Sequence, residues 1–301
     1  MRFAITGSTG FVGSGIRAHL LAAGHEVTRV VRSFTGVPPG EKVVVWQPEE
    51  GTIERDNLER HDVVIHLAGE SIAGIWTEAK KRKIRESRVK GTTLIAQTVA
   101  GLNRPPRALF SASAFGFYGN RPPFEALTEE SPAGTGFLAG VAQEWEAAAR
   151  PAERAGIRVV NMRFGNVLHP SGGMLRTLLP LYRLGLGAQL ASGEQVWSWI
   201  AREDIAPAIL HLLDLKAIAG PVNFVAPEPV TNAEFTGAVA AAVGRHAFLK
   251  LPEFAAKLAP GGMAEEMLLG GARVLPKRLL DSDYVFRCPE LRQALKAMLA
   301  R

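Results

Sequence analysis

Residues 4 to 15 read AITGSTGFVGSG, an apolar run that passes into a turn with Gly7, Gly10 and Gly13 three positions apart. Glycine permits the tight bend, and its missing Cβ lets a ligand approach backbone N–H groups. A strand before such a turn and a helix after it are typical of dinucleotide binding, the alternative being a purely structural turn. We expect the turn to bind a dinucleotide, and the contact residues are Gly7, Thr9, Gly10, Phe11, Val12 and Gly13.

Short apolar runs and helical patterns alternate over the first two thirds of the chain. Several of the runs are apolar at successive positions, which predicts strands buried on both faces. The strand candidates are RFAIT (2–6), EVTRVV (26–31), KVVVW (42–46), DVVIHLA (62–68), ALFSASA (108–114) and RVVNMRF (158–164). The helical patterns between them are FVGSGIRAHLLAAG (11–24), the segment after Trp76 and FLAGVAQEWEAAARPAERAG (137–156). This alternation predicts an α/β fold with a Rossmann-like, doubly wound parallel sheet.

The composition of the sequence changes after about Val167. The segment at about 168–196 is rich in glycine and leucine, which predicts an excursion from the sheet that contributes to a substrate lobe. VWSWI (196–200), the helix REDIAPAILHLLDL (202–215) and the strand GPVNFVA (220–226) predict a return to the sheet. We therefore expect an NAD(P)-binding domain over residues 1–226 and a smaller, mostly helical substrate lobe over residues 227–301.

Composition excludes several function classes. The 301 residues contain no apolar run approaching the ~20 that span a bilayer, so we expect no membrane partner. The single cysteine excludes an internal disulfide and suits a reducing compartment, with the cytoplasm as the default. The seven histidines are scattered singly, so we expect no metal site.

The net charge of +6 and the basic run at 80–83 raise the question of a nucleic-acid partner. In the segment around this run, Ile84, Val89, Leu94 and Ile95 form the inward side of a helix, which places the basic residues on a solvated face. We therefore expect a small-molecule substrate and no nucleic acid. A homodimer is compatible with the sequence.

The end of the second strand decides between the two nicotinamide dinucleotides. NAD-binding versions of this turn place an acid there, whereas this chain has Val31, Arg32 and Ser33. A guanidinium favours a 2′-phosphate through a charge-assisted contact, so Arg32 predicts NADP rather than NAD. The alternative is that Arg32 is a surface arginine at the end of a strand. Arg29 is a weaker candidate for the phosphate contact, because it lies nearer the middle of the strand.

The sequence LAGES (67–71) closes the strand that begins near residue 62. Small residues there let the backbone pass close to a cofactor, so Leu67, Ala68 and Gly69 are cofactor-binding candidates. We interpret the preceding His66 as a structural histidine rather than a proton shuttle.

Four motifs together resemble the extended, epimerase/dehydratase-like branch of the short-chain dehydrogenase/reductase superfamily. They are TGSTGFVG (6–13), HLAG (66–69), SASAFGFYG (111–119) and RFGNVL (163–168). The stretches FLAGVAQEWE (137–146), SWIAREDIAPAI (198–209) and RVLPKRLLDSDYVFRCPELRQAL (273–295) resemble an epimerase family that has its own C-terminal domain, DUF1731.

This resemblance implies a serine that binds the substrate oxygen, and a tyrosine with a lysine four residues later. Ser113 resembles the serine; Ser111 is the lesser candidate and is also a cofactor-binding candidate. Phe137 and Val141 stand where the tyrosine and lysine belong, and neither titrates. The standard acid/base pair is therefore expected to be absent.

Other groups around Ser113 leave alternatives open. Tyr118 either supplies a phenol from another direction or packs the pocket. Glu144 and Glu146 are weak candidates, because helical geometry turns at least one of them outward. Arg163 and Asp204 form either a structural ion pair or a helix cap.

Two functions follow from the sequence. The first is an NADP-dependent oxidoreductase or epimerase that acts on a small polar molecule such as a sugar or nucleotide sugar, with Ser113 and Tyr118 as catalytic candidates. The alternative is a catalytically silent NADP(H)-binding sensor or scaffold.

Overall fold

The computed structural model describes residues 1–257 and 262–300. Its strands are β1 (Arg2–Thr6), β2 (Glu26–Val31), β3 (Val43–Gln47), β4 (Thr52–Ile53), β5 (Val63–His66), β6 (Ala108–Ala114), β7 (Ala126–Leu127), β8 (Arg158–Phe164), β9 (Asn166–Leu168), β10 (Ala188–Leu190), β11 (Val196–Trp197), β12 (Trp199–Ala201), β13 (Gly220–Phe224), β14 (Val230–Thr231), β15 (Leu249–Leu251) and β16 (Arg273–Val274).

The helices alternate with these strands over the first two thirds of the chain. They are α1 (Phe11–Ala22), α2 (Arg55–Leu58), α3 (Glu78–Ala100), α4 (Phe137–Ala147), α5 (Arg150–Arg154), α6 (Gly173–Arg183), α7 (Arg202–Asp214), α8 (Asn232–Ala242), α9 (Glu253–Ala256), α10 (Met263–Met267), α11 (Lys277–Leu280) and α12 (Leu291–Leu299). A 3₁₀ turn at Phe115–Tyr118 follows β6.

Eight strands form one sheet in the order β13-β8-β6-β5-β1-β2-β3-β4. Neighbouring strands are parallel except β4, which runs antiparallel to β3. From β1 the chain first adds β2 and β3 on one side of the sheet and then adds β5, β6, β8 and β13 on the other side. The carboxyl ends of β1 and β5 therefore flank the switch point, which is where doubly wound folds bind ligands. The α/β, Rossmann-like fold predicted from the alternating pattern is confirmed.

The sheet is buried on both faces, which explains the continuous apolar runs. On one face Phe3, Ile5 and their neighbours pack against Ile16 of α1 and Ile209 of α7. On the other face the alternate residues of β1, β5, β6 and β8, such as Leu109, pack against α3, α5 and the segment before α5. Successive side chains of a strand point to opposite faces, so each run serves both layers.

The helix predicted over residues 137–156 is instead two helices, α4 and α5. Pro151 lies at the start of α5. It has no N–H to donate and its ring crowds the carbonyl four residues earlier, which disfavours a continuous helix at this position.

Residues after β8 leave the sheet and pack with the C-terminal part of the chain. Leu175 and Tyr182 of α6 share a buried cluster with Trp199, Phe235 and Leu295. The VWSWI stretch does not return to the main sheet; β11 pairs with β14 and β12 with β9, while GPVNF is the part that returns, as β13. The division of the chain at residue 226 stays a prediction.

The basic run at the start of α3 lies on its outer side. Lys80 pairs with Glu70 and Lys81 with Glu78, whereas Ile84 is fully buried. Within the described ranges, no helix is both long and apolar enough to cross a membrane. In the same part of the chain, no group of three or more His, Cys, Asp or Glu side chains is arranged to hold a metal ion.

Candidate functional site

The glycine turn is closed so tightly that it excludes larger side chains at Gly7 and Gly13. Gly7 has a φ of 65°, and its carbonyl accepts a hydrogen bond from the Gly10 N–H at 2.9 Å. A Cβ on Gly13 would lie 2.2 Å from the Gly7 carbonyl oxygen, well inside van der Waals contact. The turn therefore requires glycine at Gly7 for its backbone angle and at Gly13 for the close approach.

The turn leads into the exposed N-terminus of α1. Gly10 is the N-cap residue, so no side chain caps the first N–H groups, and the first turn of the helix contains no acid. Uncapped N–H groups and the helix dipole favour an anion at such an end. Thr9, Gly10, Phe11 and Ser14 line a cavity of about 560 Å³ at this position, while Val12 packs into the core.

The end of β5 lies directly beside the turn. The N–H groups of Leu67 and Ala68 donate to Thr6 Oγ1 at 3.0 and 3.1 Å. A Cβ on Gly7 would lie 3.1 Å from the Ala68 nitrogen. The structure thus brings together the two segments that the sequence predicted to face one cofactor.

His66 is part of this junction as a neutral side chain. Thr6 Oγ1 accepts from two N–H groups, so its own hydrogen is donated to His66 Nδ1 at 2.8 Å. Complete burial lowers the pKa of His66 to about 3. A group that is neutral and fully buried at neutral pH is suited to structure rather than to proton transfer.

Arg32 directly follows β2 and is exposed. The pKa of the Glu70 carboxyl is lowered chiefly by the Lys80 ammonium, and the charges of Lys83 and Arg32 lower it further. Arg32 has no carboxylate within ion-pair distance in the part of the chain that the structure describes, whereas Arg29 is held by Glu41 at 2.6 and 2.9 Å. Of these two arginines, Arg32 is the one whose charge is available.

Arg88 lies beside this site, and no motif in the sequence singles it out. Its Nη1 donates to the carbonyls of Glu70 and Ile84, both at 3.0 Å, and its guanidinium stacks 4.9 Å from the Trp145 ring. A Cβ on Gly69 would lie 3.5 Å from this guanidinium. Burial lowers the pKa of Arg88 to about 10, so it remains charged at neutral pH.

Ser113 is the penultimate residue of β6, and its hydroxyl is hydrogen-bonded to a carboxylate. Ser113 Oγ donates to Glu146 Oε1 at 2.7 Å. Arg163 of β8 grips the same carboxylate with two hydrogen bonds, from Nε at 2.7 Å and from Nη2 at 2.8 Å. Arg163 is 3% exposed, so the pair is largely desolvated and the geometry of Ser113 is fixed.

The two acidic residues of α4 have opposite surroundings. Glu144 is exposed and pairs with Arg85 at 2.9 Å, whereas Glu146 points inward to Ser113. Sequence reasoning gave both little weight, because no spacing rule connects Glu146 to an arginine on a different strand. The pairing of Arg163 with Asp204 is wrong: Asp204 instead accepts from the backbone N–H groups of Arg287 and Cys288 at 2.7 and 3.1 Å.

Tyr118 lies behind this network and has no exposed surface. Its hydroxyl donates to Asn223 Oδ1 at 2.7 Å and accepts from Arg163 Nη1 at 2.9 Å. Burial raises the pKa of Tyr118. Of the two alternatives for this residue, the geometry matches packing and support of Arg163, because the phenol is enclosed by the protein.

Ser111 is also fully buried, and its Oγ has no hydrogen-bond partner among the described residues. It is paired in register with His66 of β5, and its side chain lies on the same face of the sheet as the His66 side chain. This position is beneath the carboxyl edge, two residues before Ser113.

Phe137 and Val141, which the sequence predicts to stand in place of the superfamily's tyrosine and lysine, lie in an apolar cluster. Phe137 and Val141 pack with Trp76 and Ile84, and the Phe137 and Trp76 rings are 5.3 Å apart. Glu266 of α10 accepts the N–H groups of Phe137 and Leu138, both at 2.8 Å, and thereby caps α4.

Two family models match this chain. The model of the NAD dependent epimerase/dehydratase family matches residues 3–225, and the domain of unknown function DUF1731 matches residues 251–298. An epimerase family protein of Mycobacterium bovis is 42% identical over 293 residues, which cover 97% of this chain and 95% of that protein.

Two solved structures extend the comparison. The crystal structure of human epimerase family protein SDR39U1 with NADPH is 34% identical, with a TM-score of 0.90 and complete coverage of both chains. UDP-glucose 4-epimerase of Thermus thermophilus, in complex with NAD, is 22% identical with a TM-score of 0.76, covers 100% of this chain and 98% of that one, and shares the fold. Since the family model spans most of the sequence and the Mycobacterium bovis relative aligns over nearly all of it, the chain belongs to the NAD-dependent epimerase/dehydratase family.

Proposed function

We propose that this protein is an NADP(H)-dependent oxidoreductase or epimerase that acts on a small polar molecule such as a sugar or a nucleotide sugar. The glycine turn and the uncapped α1 N-terminus fit a diphosphate, because Gly7, Gly10 and Gly13 have no side chain that would exclude it and the first turn of α1 contains no acid. The human relative solved with NADPH supports the choice of dinucleotide.

Arg32 supports NADP over NAD in this chain itself. It extends past the end of β2, where NAD-binding versions of the turn carry an acid that binds the ribose 2′-hydroxyl. Its charge has no carboxylate partner in the described ranges, so it is available to a 2′-phosphate. The bound dinucleotide would supply or accept a hydride at the carboxyl edge of the sheet.

The observation that carries the enzyme proposal is the hydrogen bond from Ser113 to Glu146. Because the Ser113 hydrogen is donated to the carboxylate, the lone pairs of its oxygen are left to accept a hydrogen bond. Ser113 would therefore accept from a substrate hydroxyl and pass its own proton toward Glu146, whose charge Arg163 balances. We assign Tyr118 the support of Arg163 rather than proton exchange with substrate.

Binding and turnover test this proposal separately. Calorimetry with NADPH and NADH measures cofactor binding by the full chain. Turnover is then followed as nicotinamide absorbance with a panel of alditols, aldoses and nucleotide sugars, and as epimer formation by NMR. We expect Ser113→Ala to remove turnover and to leave the Kd for NADPH within about twofold, because Ser113 does not belong to the glycine turn.

One observation favours the alternative of an NADP(H)-binding sensor or scaffold. Phe137 and Val141, which the sequence predicts to stand in place of the superfamily's acid/base pair, lie in an apolar cluster, and neither side chain can exchange a proton. Tight NADPH binding with no turnover over the whole panel would establish this second function and exclude the first.

A further inference from the structure

The cavity at the α1 N-terminus has a second wall that the glycine turn does not explain. This wall comes from the start of α6 and the first residue of α7, more than 150 residues away in sequence. It consists of Ser171, Gly172, Gly173, Arg176, Thr177 and Arg202. No acidic residue lines either wall in the described part of the chain.

The second wall is packed directly on the first residue of α1. A Cβ on Gly172 would lie 2.2 Å from Phe11 Cδ2, and Gly173 has a φ of 61°. Both positions therefore exclude larger side chains, the first by contact and the second by backbone angle. This packing holds α6 at a fixed position across the cavity from the glycine turn.

Arg202 is positioned by contacts that leave its charge unbalanced. Its methylene groups pack against α1, where a Cβ on Gly15 would lie 3.1 Å from Arg202 Cδ. Its guanidinium lies 5.5 Å from the Phe11 ring centroid, donates to Ser171 Oγ at 3.1 Å and lies 3.2 Å from His169 Nε2. Glu203, the adjacent carboxylate, is directed at His169 rather than at Arg202.

Arg176 adds a second charge to the same wall. It is exposed on the first turns of α6, and the described residues provide no carboxylate within ion-pair distance of it. Two uncompensated guanidinium groups and a positive helix end thus surround one cavity. Positive charge on both walls of the cavity favours an anion that presents oxygen atoms to both walls, as a diphosphate does.

We propose that Arg176 and Arg202 are cofactor-binding residues that contact the diphosphate of the dinucleotide from the side opposite the glycine turn. This inference rests on the proposed function, since it assumes that the dinucleotide binds at the α1 N-terminus. It adds a clamp that joins the sheet to α6 and α7, so cofactor binding stabilises the packing of these elements.

The experiment measures the Kd of the full chain for NADPH and NADH by calorimetry in Arg176→Ala and Arg202→Gln. A charge-assisted contact corresponds to roughly a tenfold change in Kd, so we expect about tenfold weaker binding for Arg202→Gln and about threefold for the exposed Arg176. Both dinucleotides should weaken equally, because both contain the diphosphate. Arg183→Ala is the matched control, since Arg183 is an exposed arginine of α6 outside the cavity lining.

Two further probes identify the source of the diphosphate. Reduced nicotinamide mononucleotide has one phosphate and no diphosphate bridge, so its affinity should fall less than that of NADPH in both variants. UDP is titrated into protein saturated with NADPH; if the variants weaken UDP and leave NADPH unchanged, the arginines bind a second ligand and the proposal is overturned.

The remaining outcomes are also decisive. Folded Arg176→Ala and Arg202→Gln proteins that bind NADPH within twofold of the wild type refute the clamp and leave the proposed function intact. A wild-type chain that binds neither dinucleotide refutes both. Arg176 is exposed, so Arg176→Ala provides the result even if Arg202→Gln does not fold.

Discussion

Removing the Glu146 carboxylate should destabilise the protein far more than removing its neighbour Glu144. In Glu146→Ala, the Arg163 guanidinium keeps its burial but loses both of its carboxylate hydrogen bonds. Breaking a buried pair by deleting one partner costs about 3–5 kcal/mol, because the remaining charge is buried without compensation. The hydrogen bond to Tyr118 and the Phe117 ring 3.5 Å away remain, which places the expected loss near ~3 kcal/mol.

The assay is thermal and urea unfolding of Glu146→Ala and Glu144→Ala side by side. An unfolding entropy of about 2.1 cal/mol/K per residue converts a ~3 kcal/mol loss into a Tm decrease of about 5 °C for a chain of this length. The Glu144 side chain is 45% exposed and its partner Arg85 is 52% exposed, so that control should lose under ~1 kcal/mol and less than about 2 °C.

A double variant separates the ion pair from simple loss of packing. Glu146→Leu combined with Arg163→Met removes both charges, so it should recover part of the stability lost in the single variant. If Glu146→Ala melts within about 2 °C of the wild type, or if both glutamate variants lose the same stability, the argument for a desolvated pair that fixes Ser113 is refuted.

Three further predictions concern the cofactor turn and its neighbours. Arg32→Ala should raise the Kd for NADPH by about tenfold or more and leave that for NADH unchanged, measured by calorimetry; equal losses would exclude Arg32 as the 2′-phosphate residue. Gly13→Ala should abolish dinucleotide binding because its Cβ meets the Gly7 carbonyl, whereas Gly140→Ala on α4, where a Cβ has open space, should bind normally in the same titration. Burial lowers the pKa of His66 from 6.5 to about 3. Below pH 6.5 the unfolded chain therefore binds a proton that the folded chain does not. The free energy of unfolding then falls by about 1.4 kcal/mol per pH unit as the pH decreases toward 3. Urea unfolding at pH 7, 6, 5 and 4 should therefore show a shallower pH dependence for His66→Gln than for the wild type, and parallel curves would contradict the assignment.

The sheet and the glycine turn were predictable because their signals are local. Continuous apolar runs report burial on both faces, and three glycines at fixed spacing report a close backbone approach, as Gly7 and Gly13 show. The missing acid after Val31 is equally local. Each of these features depends on a few consecutive residues, so no tertiary information was needed.

The groups around Ser113 depend on contacts between distant elements. Whether Glu144 or Glu146 faces inward is set by the helical phase of α4 against the sheet, and the partner of Glu146 is an arginine on β8. Tyr118 presented the same difficulty, because its burial depends on Asn223, 105 residues later. These assignments could not be made before the strand order was known.

The position of the Ser113 hydrogen links this packing to the chemistry of the site. A serine that donates to a substrate carbonyl needs its hydrogen free, whereas here the hydrogen is directed to a carboxylate that an arginine holds by two contacts. Rotating the hydroxyl toward a carbonyl would leave Glu146 Oε1 with one hydrogen bond fewer in a largely desolvated place, at a cost of about 1–3 kcal/mol. That cost is a five- to 150-fold bias toward ligands that bring a hydroxyl to Ser113 over ligands that bring only a carbonyl. The bias comes from Glu146 and Arg163, neither of which needs to touch the ligand, so the selectivity of the site for hydroxyl donors is set by the packing of α4 against β8.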